Sequence, residues 1–176
     1  ALAITDGTTG YTLIGSELYA NGTIDSNLRV AYKIMGGTPD ASVTFGPTGN
    51  AADAGSMAVH VWRGVDPTTP LDVAAVEATG LATVRPDGGV ITPVSSGSVV
   101  LVAGGAAAAT GAVFTSSDLS NFRSSTGGDT NDAMVGIGSF AWTSGAFNPA
   151  QWGGGTTGAG DSWAAVTFAL RPAATT

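Results

Sequence analysis

Apolar and polar positions alternate over short stretches of this chain and almost nowhere recur with helical spacing. No window keeps apolar residues at i, i+3, i+4 and i+7 through three turns, and Gly or Pro interrupts most of them. Strand-like stretches lie instead at 11–14, 28–35, 41–45, 57–63, 71–76, 98–106, 119–124, 133–142 and 162–171, with a shorter one at 90–93. Turn formers separate them: Gly36-Gly37-Thr38-Pro39-Asp40, Asp66-Pro67, Pro86-Asp87-Gly88-Gly89, Gly127-Gly128-Asp129 and the glycine-rich 153–160. This grammar predicts an all-β chain in one domain over 1–176, a sandwich or a barrel, and a two-sheet antiparallel β-sandwich is the fold expected.

The faces of the predicted strands carry further information. Over 28–35, Leu28, Val30, Tyr32 and Ile34 point one way, and Arg29, Ala31, Lys33 and Met35 the other, as in a sheet with one wet face. Over 57–63, Met57, Val59 and Val61 share a face and Ala58, His60 and Trp62 share its opposite. Neither face is strongly polar, so this strand is expected to be central and covered on both sides. The same holds for 162–171, with Val166, Phe168 and Leu170 on one face.

Two pairs of segments have matching layouts. GSMAVHVWRGV (55–65) parallels DSWAAVTFALRPA (161–173), and LRVAYKIMG (28–36) parallels AMVGIGSFAW (133–142). The expectation is an internal pseudo-repeat; shared strand grammar is the alternative. The counterpart of the strand at 98–103 is abbreviated to Leu2-Ala3-Ile4, which favours a truncated or processed start at Ala1.

Composition narrows the function classes. Of the 176 residues, 27 are glycine and 11% are charged, against about 25% in an average domain. The 43% hydrophobic content and mean hydropathy of +0.25 argue for a packed fold rather than disorder. The chain carries no cysteine, so thiol chemistry and disulfides are excluded. Its net charge is −7, and the six bases, Arg29, Lys33, Arg63, Arg85, Arg123 and Arg171, are scattered in sequence. Nucleic-acid and anionic-membrane partners are therefore not expected. The longest weakly polar run, 99–113, is too short and too rich in Gly and Ala to span a bilayer as a helix. The small-residue run at 102–112 instead permits close backbone approach, by a facing layer or by a neighbouring subunit.

Candidate chemistry is sparse. His60 is the sole histidine, set mid-strand beside Trp62. A structural role competes there with that of a general base. One His and no Cys do not make a zinc site. Calcium is the better metal candidate, because oxygen ligands cluster at Asn21, Asp25 and Asn27, at Asp66 and Asp72, and at Asp129, Asn131 and Asp132. Turn formation is the alternative role for these side chains, and no cofactor is expected. Aromatic residues at loops or strand ends, namely Tyr19, Trp142, Phe147 and Trp152, are candidates for stacking on sugar rings or for capping the core. Asn21-Gly22-Thr23 matches a glycosylation sequon. No nucleophile elbow or phosphate-binding glycine loop occurs, and catalytic residues are not assigned.

Several motifs carry a resemblance. Gly10-Tyr11-Thr12-Leu13, Tyr32-Lys33, Trp62-Arg63-Gly64-Val65-Asp66, Pro70-Leu71-Asp72 and the ending Ala169-Leu170-Arg171-Pro172 recur in that order. With them the chain resembles a β-sandwich module of tailed-phage virion proteins and of bacterial surface or secreted proteins. The resemblance implies a jelly-roll-like fold and a structural role without catalytic residues. Physically, Gly64 permits a bend, and Asp66 before Pro67 starts a turn and is expected to pair with Arg63. The leading expectation is a non-enzymatic virion protein (head decoration, neck or fibre) that contacts coat, neck or tail protein and sister subunits as a homo-oligomer. A secreted or cell-surface carbohydrate-binding module is the alternative, and a polysaccharide hydrolase the third.

Overall fold

The computed structural model describes residues 2–5, 10–21, 25–47, 55–81, 83, 85–108, 113–127, 132–154 and 161–174. Among them there is no helix, and the ordered pairing is antiparallel throughout. Eleven strands follow one another: β1 (Leu2–Thr5), β2 (Thr12–Leu13), β3 (Leu18–Ala20), β4 (Ser26–Leu28), β5 (Ala31–Tyr32), β6 (Thr44–Pro47), β7 (Val76–Leu81), β8 (Val99–Ala108), β9 (Ser120–Gly127), β10 (Asp132–Ala141) and β11 (Ser162–Leu170). Five of them build the main sheet, in the order β7-β11-β8-β10-β9. The other six form three two-stranded pairs, β1 with β6, β2 with β5 and β3 with β4.

The long strands stand where apolar runs and β-branched residues predict them. β11 is buried at every position but its last, and Val100, Leu101 and Val102 of β8 are sealed from solvent. Both strands are interior to the sheet and covered on both faces, which explains why apolar residues continue through them instead of alternating. On one face Leu101, Ala103, Val166 and Phe168 pack with Ile14, Leu18, Leu28 and Val30 of the N-terminal segments. On the other, Val102, Ala165 and Trp163 pack with Phe114, Leu119 and Trp152, which arrive on loops. Ile91 joins Val100 and Ala169 in a third group on that side. Each buried residue of Val or Leu size contributes about 1.5–3 kcal/mol.

The N-terminal layer is short-stranded but pinned. Ser26 Oγ donates to Ser162 O at 2.8 Å and accepts from Ala107 N at 2.9 Å. Ser162 Oγ donates to Ala20 O at 3.1 Å. These bonds tie β3 and β4 across the ends of β11 and β8.

The predicted strand at 28–35 is split. Ser26–Leu28 pairs with Leu18–Ala20, Ala31–Tyr32 pairs with Thr12–Leu13, and Ile34 and Met35 are exposed. Leu28 and Val30 do face the core, but pairing stops at Tyr32, and the Lys33 side chain beyond it is bonded to Asp40 at 2.9 Å. The stretch 57–63 differs more. It enters no ladder, and Val59 and Val61 are 52% and 79% exposed, so it is not the central strand its composition predicts. The segment at 71–76 pairs at its two ends, Leu71 with Leu170 and Val76 with Thr167, and the strand proper begins at Val76. These departures also remove the pseudo-repeat: 57–63 and β11 have different structures, as do 28–35 and β10. The likeness between those segments is one of strand grammar.

Candidate functional site

Three of the five motifs that carry the resemblance meet at one joint, while Thr12 and Leu13 of the first motif pair with Tyr32 and Ala31 elsewhere. Gly64 has φ of 74°, the left-handed bend expected of it. Beyond the bend the chain runs beside the end of β11. Val65 bridges Pro172 and Leu71 bridges Leu170. Ala173 N donates to Gly64 O at 2.8 Å, Asp66 N to Arg171 O at 2.9 Å, Arg171 N to Pro70 O at 2.9 Å, and Asp72 N to Ala169 O at 2.9 Å. The Arg-Gly-Val-Asp turn, the Pro-Leu-Asp step and the Ala-Leu-Arg-Pro ending are thus one hydrogen-bonded unit.

Asp72 sits at its centre and is buried. Its Oδ2 accepts from Val94 N at 2.6 Å and Ser95 N at 3.0 Å, and its Oδ1 lies 3.4 Å from Arg171 Nε. Burial opposes its ionisation, but the hydrogen bonds from Ser95, Val94 and Ser98 outweigh it and hold the carboxyl at about 2. Asp66 does not pair with Arg63 as expected. Its Oδ1 accepts from Thr68 N and Thr69 N at 2.8 and 3.1 Å, which lower its pKa, and the nearby guanidinium that adds to this is Arg171. The two aspartates therefore serve turn and joint.

Asp25 accepts from the Tyr19 hydroxyl, which raises the tyrosine's pKa. Asp129 and Asn131 lie outside the described residues, as do Gly22 and Thr23 of the sequon. Among the described residues, no three His, Asp or Glu side chains converge to hold a metal.

His60 is half-buried, its ring 6.2 Å from that of Trp62 at a 45° tilt. Burial lowers its pKa, and the charge of Arg123 lowers it further. These surroundings favour a neutral imidazole beside an indole. No hydrogen bond among the described residues joins it to a hydroxyl or carboxylate.

The aromatic candidates separate sharply. Trp152 is 1% exposed, so it is no sugar platform. Its loop is fastened by Trp152 N to Pro86 O at 2.9 Å and by Gly153 paired with Thr115, and the indole meets Phe114 and Phe122 edge-on at 5.2 and 4.9 Å. Phe147 is stacked on Phe140 at 4.0 Å, and Trp142 Nε1 donates to Gly145 O at 2.8 Å. Tyr19 remains open, at 54% exposure.

A cleft of about 1690 Å³ is lined by residues of both the main sheet and the N-terminal segments. Leu101, Val135, Ile137 and Phe168 are among its floor residues, and Tyr32, Trp62 and the ladder-free segment stand along its wall. Sequence reading missed this cleft because it took 57–63 for an interior strand. It missed Glu77 as well, whose carboxylate accepts from both the main chain and the hydroxyl of Ser16 (Oγ to Oε2, 2.9 Å).

What this arrangement offers is surface: a cleft of mixed apolar and charged lining, an exposed valine pair and, at the joint, polar side chains committed to holding loops. No family model, curated protein or solved structure matches this chain.

Proposed function

We propose that this chain is a non-enzymatic virion component of a tailed phage, a head-decoration, neck or fibre domain that works through contacts with coat, neck or tail protein and with sister subunits. The observation that carries the reading is the joint between 64–72 and the end of β11. Among the residues that bear the resemblance, Gly64 to Asp66, Asp72, and Ala169 to Pro172 are spent on closing the fold rather than on a reactive centre. We also read the short N-terminal pairs as the second layer of a jelly-roll-like sandwich, on the strength of their packing against the main sheet.

The test is co-sedimentation of the purified chain with heads, necked heads and isolated tails that lack it. Saturable retention on one class of particle is expected. Failure to bind any of them, together with turnover of a polysaccharide, would overturn the reading.

Carbohydrate binding is the alternative, and Tyr19, exposed with Asp25 at its hydroxyl, is what favours it. Glycan-array signal lost in Tyr19→Ala would support that alternative.

A further inference from the structure

We infer that Met57–Arg63 is a self-pairing edge, at which a second copy of the chain docks antiparallel about a two-fold axis through His60. This rests on the reading of the chain as a contact-making protein that associates with its own kind.

Four observations lead there. First, exposure alternates from Ala58 to Arg63: Val59, Val61 and Arg63 are outward, while Ala58, His60 and Trp62 are half-buried on the main sheet. That is the exposure pattern of an extended strand lying on the main sheet. Secondly, residues 57–62 enter no ladder and make no main-chain hydrogen bond to one another or to other described residues, so donors and acceptors there are open to another strand. Thirdly, the segment is complementary to itself. With His60 opposite the partner's His60, Val59 meets the partner's Val61 and Ala58 meets the partner's Trp62, so branched faces branched and small faces large. An isologous contact requires this reciprocity.

The fourth observation is charge, and it selects a second copy as the occupant. The chain carries −7 overall, which opposes approach of another copy over most of its surface. Between Gly55 and Val65 there is no carboxylate, and the charges lining the adjoining cleft balance, Arg29, Lys33 and Arg63 against Glu17, Asp25 and Asp40. Arg123 lies near enough to His60 to bear on its ionisation. Repulsion between copies is weakest here, and the central histidine is held neutral.

The experiment uses the full chain. Because it has no cysteine, His60→Cys places one thiol per copy at the axis. Paired residues of antiparallel strands have Cα atoms about 4.5–5.5 Å apart, within disulfide reach. Mild oxidation is expected to give a covalent dimer with His60→Cys and none with Ala58→Cys, whose thiols would stand four residues out of register.

Sedimentation equilibrium supplies the second arm. V59K/V61K sets like charges across both pairs and is expected to weaken the dimer at least about tenfold, roughly 1.4 kcal/mol. V59K/V61E sets opposite charges across the same pairs and is expected to restore it. Both positions are exposed, so folding is not at stake. A monomeric wild-type chain, or a dimer indifferent to both variants and uncrosslinked at position 60, overturns the inference. A chain that binds phage particles yet stays monomeric in free solution overturns this inference alone and leaves the virion reading standing.

Discussion

Gly104 of β8 and Gly136 of β10 are ladder partners, and the same atom of Trp152, Cζ3, lies 2.8 Å from the point where either would carry a Cβ. The two glycines make a bare patch in the main sheet, and the indole fills it. Pro86 closes the same patch, 2.7 Å from the Cβ position at Gly104. The small-residue run thus admits a facing loop on this side of the sheet.

Gly136→Ala is expected to destabilise the fold by about 1–3 kcal/mol, because the indole is held by Phe114 and Phe122 and has little room to give. Urea denaturation checks this as a fall in midpoint with unchanged slope.

Trp152→Ala removes the filler itself. A loss of about 3–5 kcal/mol is expected from the lost burial and the cavity. Thermal denaturation reads it out. The variant's loss of any binding activity would then reflect unfolding, not a sugar contact.

Asp72 sets an acid limit. Its carboxyl titrates at about 2 in the folded chain, below the ordinary value near 3.8. Its contribution is complete above the unfolded value and declines as pH falls through the folded one, so stability is lost between about pH 4 and 2. The amount is about 2 kcal/mol. Denaturant midpoints taken from pH 6 to 2 should fall across that window, and Asp72→Asn should flatten this part of the profile while lowering stability at pH 6.

Gly64→Ala places a side chain at φ of 74° with no atom within 4 Å of the new Cβ, so the cost is conformational alone. About 1 kcal/mol of destabilisation is expected. Its measurement isolates the bend from the hydrogen bonds of the joint.

His60 favours its neutral form in the folded chain, since burial and Arg123 both lower its pKa. Stability linked to this group is present above the unfolded value near 6.5 and declines as pH falls from there toward the folded pKa. Imidazole resonances followed by NMR against pH should titrate below the ordinary value, and Arg123→Gln should move the midpoint upward.

The strands of the main sheet were legible because burial on both faces leaves an unmistakable mark. Val99 to Ala103 and Ser162 to Leu170 are apolar or small without interruption, and nothing but an interior strand accommodates that over such a length with so much Val and Ala. The segment at 57–63 has a similar composition yet no ladder. Periodicity reports which side chains share a face; it does not report whether another backbone lies alongside. Leu18–Ala20 and the second half of β7 were missed because three residues, or a stretch containing Glu77, Thr79 and Gly80, are too short or too mixed to stand out. Trp152 was left between two roles, a sugar platform and a cap on the core, and the structure gives it the second. A tryptophan beside glycines looks like a loop tip, and only the bare patch at Gly104 and Gly136, brought together by ladder register, reveals where the ring goes. The Arg-Gly-Val-Asp and Ala-Leu-Arg-Pro motifs were visible at once, but their mutual bonding spans about a hundred residues and has no local signature.

The position of β11 bears on how the chain matures during synthesis. It is the latest of the described strands to leave the ribosome, and its place is between β7 and β8, which do not touch through any ladder of their own. Until it emerges, β7 has no neighbour in the main sheet and β8 is open along one side, so a sizeable apolar edge waits unsatisfied. Nascent chains halted before Ser162 should therefore be the aggregating species, and chaperone demand should peak in that interval and fall once the last strand slides home.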